Sequence, residues 1–349
     1  MSVVYVTEPS GRVRRQGEGL YITRPTHKDR GQETVLQLAT HSLELISLFG
    51  HTGISAEAMQ LCLEQGIAVA WFASSGQYLG RVSPPMARSA DIRLAQYALS
   101  NAPEARLALS KLILDARLTT QTNIIRDFQK NKGSQAVLSE AIEGFDKIKE
   151  MVKTTGSMEA LLGVEGNAAR TWFDVLGRTF LTITFSGRNR RPPRDPVNAL
   201  LSFGYTLLAN LLAGAIEARG FDPSLGFIHA TRPGRPALAL DLMEEFRAFV
   251  VDRFVLRVCN LKILRPEHFT HDEDKGIRLT REGMRTFFTE WERALLQTVS
   301  SDKQELDVRA LLRRQVDRLA AHVRGQTGYA PFCYGEAKRK RGRPAKTQT

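Results

Sequence analysis

The spacing of hydrophobic residues changes near residue 86 of the chain. Before that point, short apolar runs rich in β-branched and aromatic residues alternate with turn-forming segments, which is typical of β-strands. One helix interrupts this region, because Ser55 is a favourable N-cap for an apolar-periodic stretch at 56–63 and Gly66 follows its end. The predicted strands lie at 3–6, 19–22, 34–38, 43–49, 67–72 and 78–82.

After residue 86, apolar residues recur every three to four positions, which predicts long helices. We therefore predict an α+β protein, with a small N-terminal β-sandwich-like domain at 1–86 and a larger all-α C-terminal domain at 87–335. A disordered basic tail follows at 336–349, and the Ser-Pro-Pro segment at 83–85 is the predicted linker. The predicted helices lie at 91–99, 104–132, 137–153, 157–180, 197–219, 240–256, 280–298 and 303–324.

The composition is that of a globular protein, since 42% hydrophobic residues in a chain of 349 are enough for a buried core. The three cysteines are far apart in sequence, so neither a disulfide framework nor a zinc knuckle is predicted. The first residues lack the pattern of a signal peptide, and no run of about 18 uninterrupted apolar residues occurs. We expect a cytoplasmic protein with no membrane partner.

The formal net charge of +12 indicates a polyanionic partner, although charge alone does not separate DNA from RNA or a membrane surface. Half of this charge lies in the tail, where six basic residues follow Glu336 without an acid among them. Within the tail, Arg341-Gly-Arg343-Pro resembles an AT-hook, a short segment that reads a narrow minor groove through its arginines. A nonspecific polybasic tail explains the same residues equally well.

The segment that follows His229 carries the residues of greatest chemical interest. A predicted helix there contains Asp241 and Glu244, whose carboxylates share one helical face because they are three residues apart, whereas Glu245 points elsewhere. Carboxylates on an otherwise apolar helix need solvent, a partner or a metal ion. Two alternatives without catalysis exist. The helix macrodipole favours acids such as Asp241 and Glu244 near a helix start, and an isolated histidine such as His229 is often purely structural.

Glu165 lies between two glycines, Gly163 and Gly166, inside a predicted helix. Each glycine costs a helix up to about 1 kcal/mol relative to alanine, so a requirement other than helix propensity must favour them. Close approach of a ligand or of a second backbone would explain both glycines. Tight helix packing against them and against Ala168 and Ala169 is the alternative.

One imidazole with two or three carboxylates is a suitable ligand set for Mg²⁺ or Mn²⁺. Such an ion polarises a phosphodiester and lowers the pKa of an attacking hydroxyl or water. This chemistry suits a basic protein that acts on a nucleic acid.

A second basic cluster supports a nucleic-acid substrate, because four arginines occupy a proline-containing loop directly before a helix predicted to begin near Val197. Arginines on a stiff loop beside a helix N-terminus form a good phosphate clamp, although a solvated surface loop is the alternative. Arg232 and Arg235 add positive charge beside His229. The loop arginines are Arg188, Arg190, Arg191 and Arg194.

Four motifs occur in a fixed order along the chain: Gly163-x-Glu165 with Ala168-Ala169; Arg188-x-Arg190-Arg191-Pro-Pro with Asn198 and Tyr205; Asp222-Pro-x-x-Gly226-x-x-His229; and Leu240-Asp241-Leu-Met-Glu244-x-Phe-Arg247. This series resembles the CRISPR-associated integrase of spacer acquisition, the "Cas one" family. The resemblance runs over residues 1 to about 330 and is far more specific than any single motif.

The resemblance implies an N-terminal β-domain that forms a homodimer and a helical domain that carries the catalytic site. It implies that Glu165, His229 and Glu244 hold the Mg²⁺ or Mn²⁺ ion, while Asp241 is an outer-sphere group or a fourth ligand. Tyr205 matches the motif helix and is expected, with the arginines above, to contact DNA.

The implied reaction is transesterification, in which the 3′-hydroxyl of a captured double-stranded DNA fragment attacks a phosphodiester at a CRISPR repeat. The implied partner is the small "Cas two" protein, whose dimer bridges two dimers of this chain into a heterohexamer. Two alternatives remain open from the sequence: a DNA-binding architectural or regulatory protein, and a stand-alone branched-DNA repair nuclease of the same fold.

Overall fold

A computed structural model describes residues 2–25, 32–84, 90–133, 136–183, 185, 187–189, 192–273, 276–302 and 304–335. The predicted basic tail, with Arg341 and Arg343, and the loop residues Arg190 and Arg191 therefore lie outside the described residues.

The chain divides into two compact units, each assembled from three segments. The predicted boundaries at residues 86 and 335 stay a prediction. The first unit contains the described residues of Met1–Ala87, Arg190–Thr206 and Leu264–Phe288, and the second those of Arg88–Asn189, Leu207–Ile263 and Thr289–Thr349.

The N-terminal part of the first unit consists of two four-stranded sheets and one helix. Its elements are β1 (Ser2–Val6), β2 (Arg12–Gln16), β3 (Gly19–Pro25), β4 (Gln32–Leu38), β5 (Leu43–Phe49), β6 (Gly53–Ile54), α1 (Ala56–Glu64), β7 (Ala68–Phe72) and β8 (Tyr78–Val82). One sheet has the order β1-β5-β7-β8, in which only the pairing of β7 with β8 is antiparallel. The other has the order β4-β3-β2-β6.

Both sheets and α1 contribute to one apolar core, in which Val13, Leu20, Ile46, Leu61 and Val69 are almost fully buried. This arrangement confirms the predicted strand-rich N-terminal region. Strand β2 was not predicted, because its sequence Arg-Val-Arg-Arg-Gln offers a single apolar side chain to the core. The predicted N-cap is confirmed, since the Ser55 hydroxyl accepts a hydrogen bond from the Ala58 N–H at 3.2 Å.

Seven of the eight helices predicted after residue 86 are present as continuous helices, with ends shifted by up to five residues. The elements are α2 (Ala90–Ser100), α3 (Pro103–Lys132), α4 (Ala136–Thr154), α5 (Met158–Thr179), α6 (Pro196–Arg219), α7 (Ala237–Phe246), α8 (Arg253–Asn260), β9 (Phe269–Asp272), β10 (Gly276–Leu279), α9 (Arg281–Leu295), β11 (Thr298–Ser301), β12 (Gln304–Asp307) and α10 (Val308–Val323). The prediction of an all-α region needs one correction, because β9–β10 and β11–β12 form two antiparallel hairpins. Four-residue strands are too short for an alternating pattern to stand out beside helical periodicity.

The helix predicted at 240–256 is not continuous. It consists of α7, a π-helical segment at Arg247–Asp252 and α8. A π-helix bonds each residue to the fifth along the chain, and such segments occur frequently at functional sites. The bonding pattern depends on what packs around the helix, so the amino-acid sequence offered no signal for it.

Helix α6 is long and apolar enough to cross a membrane, judged by its length and composition alone. Half of the most apolar 18-residue stretch of this helix is buried inside the protein. Leu200, Leu208 and Ile216 are among its completely buried side chains, as in the core helix of a globular protein.

Candidate functional site

Glu165 on α5 and Glu244 on α7 both contact the guanidinium of Arg117 on α3. Nη1 of Arg117 donates a hydrogen bond to Oε1 of Glu165 and another to Oε2 of Glu244, each at 2.6 Å. The side chains of Arg117 and Glu244 are 1% exposed, whereas that of Glu165 is 24% exposed. A second cation, Nη1 of Arg247, lies 3.2 Å from Oε1 of Glu244. The two glutamates therefore share one largely buried cationic centre.

The carboxyl group of Glu244 stays ionised despite its burial. Burial alone would raise the pKa of Glu244, but the charges of Arg117 and Arg247, together with His229, outweigh that effect and lower it. Glu244 also lies two turns into α7, beyond the first turn in which a helix macrodipole acts. The macrodipole alternative therefore does not account for this acid.

Asp241 holds the loop that ends in His229. Its carboxylate accepts hydrogen bonds from the N–H groups of Phe227, Ile228 and His229, the last two at 3.0 and 2.9 Å. Nδ1 of His229 lies 2.7 Å from Oδ1 of Asp241, which is fully buried. In the neutral ring, donation of Nδ1–H to this carboxylate leaves the lone pair on Nε2, which is then the nitrogen available to a ligand. This geometry is that of a supporting carboxylate behind His229.

Gly226 is required by the close approach of this loop to α7. A Cβ at this position would lie 2.6 Å from Oδ2 of Asp241 and 3.1 Å from the backbone of Ala237. Any larger residue would therefore displace the carboxylate that orients His229.

Two side chains from α2 and α3 hold the same loop from its other side. The amide of Gln96, which is completely buried, donates to the carbonyls of Asp222 and Leu225 at 2.8 Å and accepts from the Asp222 N–H at 2.9 Å. Nε of Arg106 donates to the Phe227 carbonyl at 2.6 Å. The loop before His229 is thus fixed by side chains that are distant in sequence.

Glu165 and Glu244 are also linked through the helices that carry them. Nε1 of Trp172, about two helical turns after Glu165 on α5, donates to Oδ2 of Asp252 at 2.7 Å, and both side chains are buried. Asp252 ends the π-helical segment that follows α7. This bond ties α5 to the helix of Glu244.

Gly163 and Gly166 both lie on an exposed part of α5. Among the described residues, no atom lies within 4 Å of a Cβ built on either glycine. The alternative that these glycines allow tight helix packing is therefore wrong. Close approach of a ligand stays a prediction.

The chemistry of Glu165, His229 and Glu244 fits a divalent ion. Arg117 bonds one oxygen of each glutamate and Arg247 lies beside the second oxygen of Glu244, while Nε2 of a neutral His229 ring is an acceptor. Within the described ranges, no group of three or more His, Cys, Asp or Glu side chains is placed to hold a metal. The three side chains would have to close around an ion.

The remaining predicted DNA contacts are spread over the protein. Arg194 and Arg232 are exposed, while Arg235 and Tyr205 are half-buried. Arg188, also half-buried, donates to the Asn189 carbonyl at 2.5 Å. These residues belong to both compact units.

The helix N-terminus beside the arginine loop already has an acidic cap. Oδ1 of Asp195 accepts from the Asn198 N–H at 2.8 Å, and Oδ2 accepts from the Asn198 side chain at 2.6 Å. A phosphate clamp at this position would thus depend on the arginine side chains rather than on the N–H groups of α6.

Arg117 is the residue of the site that sequence reasoning missed. Helix α3 is buried on nearly every face around it, so no polar stripe distinguished this arginine from its neighbours. The only signal was the presence of two charged residues, Asp115 and Arg117, within the otherwise apolar stretch 112–118.

Comparisons with known proteins agree with these motifs. The family model described as "CRISPR associated protein Cas1" matches residues 4–293. A CRISPR-associated endonuclease Cas1 from Rhodospirillum rubrum is 33% identical over 348 residues, which cover 95% of this chain and 98% of that protein.

Two solved structures share the fold. A casposase bound to integration product has a TM-score of 0.83 at 22% identity, covering 96% of this chain and 94% of that chain. A chain of a Cas6-RT-Cas1–Cas2 complex has a TM-score of 0.81 at 22% identity, covering 95% of this chain and 36% of that chain.

Proposed function

The chain belongs to the CRISPR-associated Cas1 family, and we propose that it is a metal-dependent DNA endonuclease and integrase that inserts captured DNA fragments into a CRISPR array. The observation that carries this proposal is the convergence of Glu165 and Glu244 on Arg117, beside a histidine held by Asp241. Two carboxylates and an imidazole, carried on separate helices and a loop, are suitable ligands for a metal ion that promotes phosphoryl transfer.

Glu165, His229 and Glu244 would hold one Mg²⁺ or Mn²⁺ ion. When bound, the ion would stabilise the charge on the attacked phosphate and lower the pKa of the attacking hydroxyl. Asp241 is a positioning residue in this scheme, because it fixes the tautomer and orientation of the His229 ring.

Arg117 holds the two glutamates close together and lowers the pKa of Glu244. The open face at Gly163 and Gly166 gives the DNA backbone access to Glu165 without a Cβ in the way. Arg188, Arg194, Arg232 and Arg235 would neutralise phosphates along the bound strands, and Tyr205 is a further proposed DNA contact.

In the proposed reaction, the 3′-hydroxyl of the fragment loses its proton, and its oxygen forms a bond to a phosphorus atom at the edge of a repeat. The bond from that phosphorus to its original 3′-oxygen breaks, and the leaving oxygen takes up a proton. With water as the nucleophile, the same residues would hydrolyse DNA, which is the endonuclease activity.

We infer a homodimer in the cytoplasm that binds double-stranded DNA and a small Cas2-type partner in a heterohexamer. The exposed apolar side chains Val35, Leu36 and Leu79, on the edge strands β4 and β8, support a protein contact at the N-terminal sheets. The Cas2-containing structural neighbour supports the partner. Light scattering with and without the partner measures both stoichiometries.

The decisive experiment is strand joining between a labelled fragment and a plasmid that carries a repeat, with Mn²⁺ and the small partner. The Glu165→Gln protein is expected to bind DNA but to form no joined product. Glu159→Gln is the matched control, because Glu159 is an exposed acid on the same helix. A fragment with a 3′-deoxy end should not be joined by any variant.

Other outcomes would identify the alternatives. Hydrolysis of branched DNA with no joined product would favour a repair nuclease of the same fold. DNA binding by the wild-type protein without any Mn²⁺-dependent reaction would favour an architectural or regulatory protein.

A further inference from the structure

Glu245, the residue after the candidate ligand Glu244, faces a different part of the protein. Its carboxylate is completely buried and accepts a hydrogen bond from the Tyr329 hydroxyl and another, at 2.7 Å, from the Phe332 N–H. Both partners belong to the segment that follows α10. Adjacent acids on α7 are thus held from two sides, Glu244 by Arg117 and Glu245 by this segment.

Residues 329–334, which we call the C-terminal strap, also pack on the helix of Glu244. The ring of Phe332 stacks on Phe246, at the end of α7, with centroids 5.1 Å apart and planes inclined by 9°. Tyr334 stacks on Phe249, in the π-helical segment, with centroids 4.8 Å apart. The strap therefore covers α7 and the irregular segment together.

The same strap bonds to α3, the helix that carries Arg117. The Tyr334 N–H donates to the Thr120 hydroxyl at 3.1 Å, and the Asn123 amide donates to the Tyr334 carbonyl at 2.6 Å. The Tyr334 hydroxyl donates to Asp127 at 2.7 Å. These contacts follow Arg117 along α3, so the strap joins the two helices that meet at the candidate site.

We propose that the C-terminal strap positions Glu244 against Arg117, with Tyr329 acting through Glu245 as the main positioning residue. Without the strap, the buried Glu245 side chain would lose its hydrogen bonds to Tyr329 and to the Phe332 N–H, and α7 would rotate to let its polar atoms reach water. Such a rotation would carry Glu244 with it, because the two residues share a peptide bond. The proposal rests on the proposed function, since Glu244 is taken as a metal ligand.

Cys333 provides a reporter of strap docking within the natural sequence. Its thiol lies in the strap, half-buried, with Sγ 3.9 Å from the Ala116 carbonyl oxygen of α3. Cys62 and Cys259 are buried. The rate at which a thiol reagent modifies Cys333 therefore measures opening of the strap, and Cys333→Ser supplies the blank.

The test uses the full-length Tyr329→Phe protein, which loses one hydroxyl and keeps the ring. We expect faster Cys333 modification, a Kd for Mn²⁺ raised about tenfold, and a kcat for strand joining lowered about tenfold with the KM for DNA unchanged. Tyr21→Phe, on strand β3, is the control and should leave all four quantities unchanged. Phe332→Leu removes the ring stacking and should likewise speed Cys333 modification, raise the Kd for Mn²⁺ and lower kcat. This variant tests the proposal if Tyr329→Phe does not fold.

Two results would overturn the proposal. If Cys333 becomes more reactive while Mn²⁺ binding and kcat keep their wild-type values, the strap opens without moving Glu244. If Cys333 reactivity does not change in either variant, Tyr329 and Phe332 do not hold the strap. Failure of the proposed function has a different signature, because the wild-type protein would then neither bind Mn²⁺ nor join DNA.

Discussion

Replacement of Arg117 by methionine is the most direct probe of the candidate site. The substitution keeps a long side chain but removes the cation that contacts Glu165 and Glu244 at 2.6 Å. Glu165 is 24% exposed and can be rehydrated, whereas Glu244 is 1% exposed and cannot. Removal of one partner from a buried ion pair costs about 3–5 kcal/mol. We expect Arg117→Met to lower the unfolding free energy by about 3 kcal/mol, the lower end of this range, because Arg247 remains beside Glu244.

The pH dependence of this loss follows from the pKa of Glu244. In the wild-type protein that pKa is lowered below its usual value of 4.5, so the ionised group contributes stability above pH 4.5 and loses it as the pH falls further. In Arg117→Met, burial dominates and raises the pKa, so protonation stabilises the folded variant. The difference in unfolding free energy should therefore shrink between pH 7 and pH 4.5.

Urea unfolding in the presence of EDTA, followed by circular dichroism, measures both effects. Arg126→Met is the control, because Arg126 lies on the same helix and is only partly buried. If Arg117→Met lowers the unfolding free energy by less than about 1 kcal/mol at pH 7, as removal of a surface ion pair would, Arg117 and Glu244 do not form a buried ion pair. If the difference in unfolding free energy between the two proteins grows on acidification, the pKa of Glu244 is not raised in Arg117→Met.

Three further substitutions test the surroundings of the site. Asp241→Asn should weaken Mn²⁺ binding about 10- to 100-fold in calorimetry, because an amide no longer fixes the His229 tautomer; unchanged affinity would contradict a supporting role. Gly226→Ala should lower the unfolding free energy by about 1–3 kcal/mol, since its Cβ would lie 2.6 Å from Asp241, and equal stability in urea would show that the loop adapts. Gly166→Ala should raise the unfolding free energy by about 1 kcal/mol yet weaken DNA binding in anisotropy titrations, and unimpaired binding would show that DNA does not approach this face.

Local sequence patterns predicted much of the fold because each pattern reports burial within one element. The helical periodicity of α2 to α10 and the N-cap at Ser55 depend on neighbours a few residues away. The short hairpins, strand β2 and the π-helical segment escaped prediction, because their pairing or packing partners determine them.

The sequence by itself also predicted the chemistry of the candidate site. Glu165, His229 and Glu244 were predicted from their residue types, the glycines beside Glu165 and the order of their motifs. Tertiary structure alone decided that Arg117 joins the two glutamates and that Asp241 supports the histidine. It also decided that the strap covers the next acid, Glu245. These contacts link residues far apart in sequence, and a local pattern carries no record of which buried groups meet.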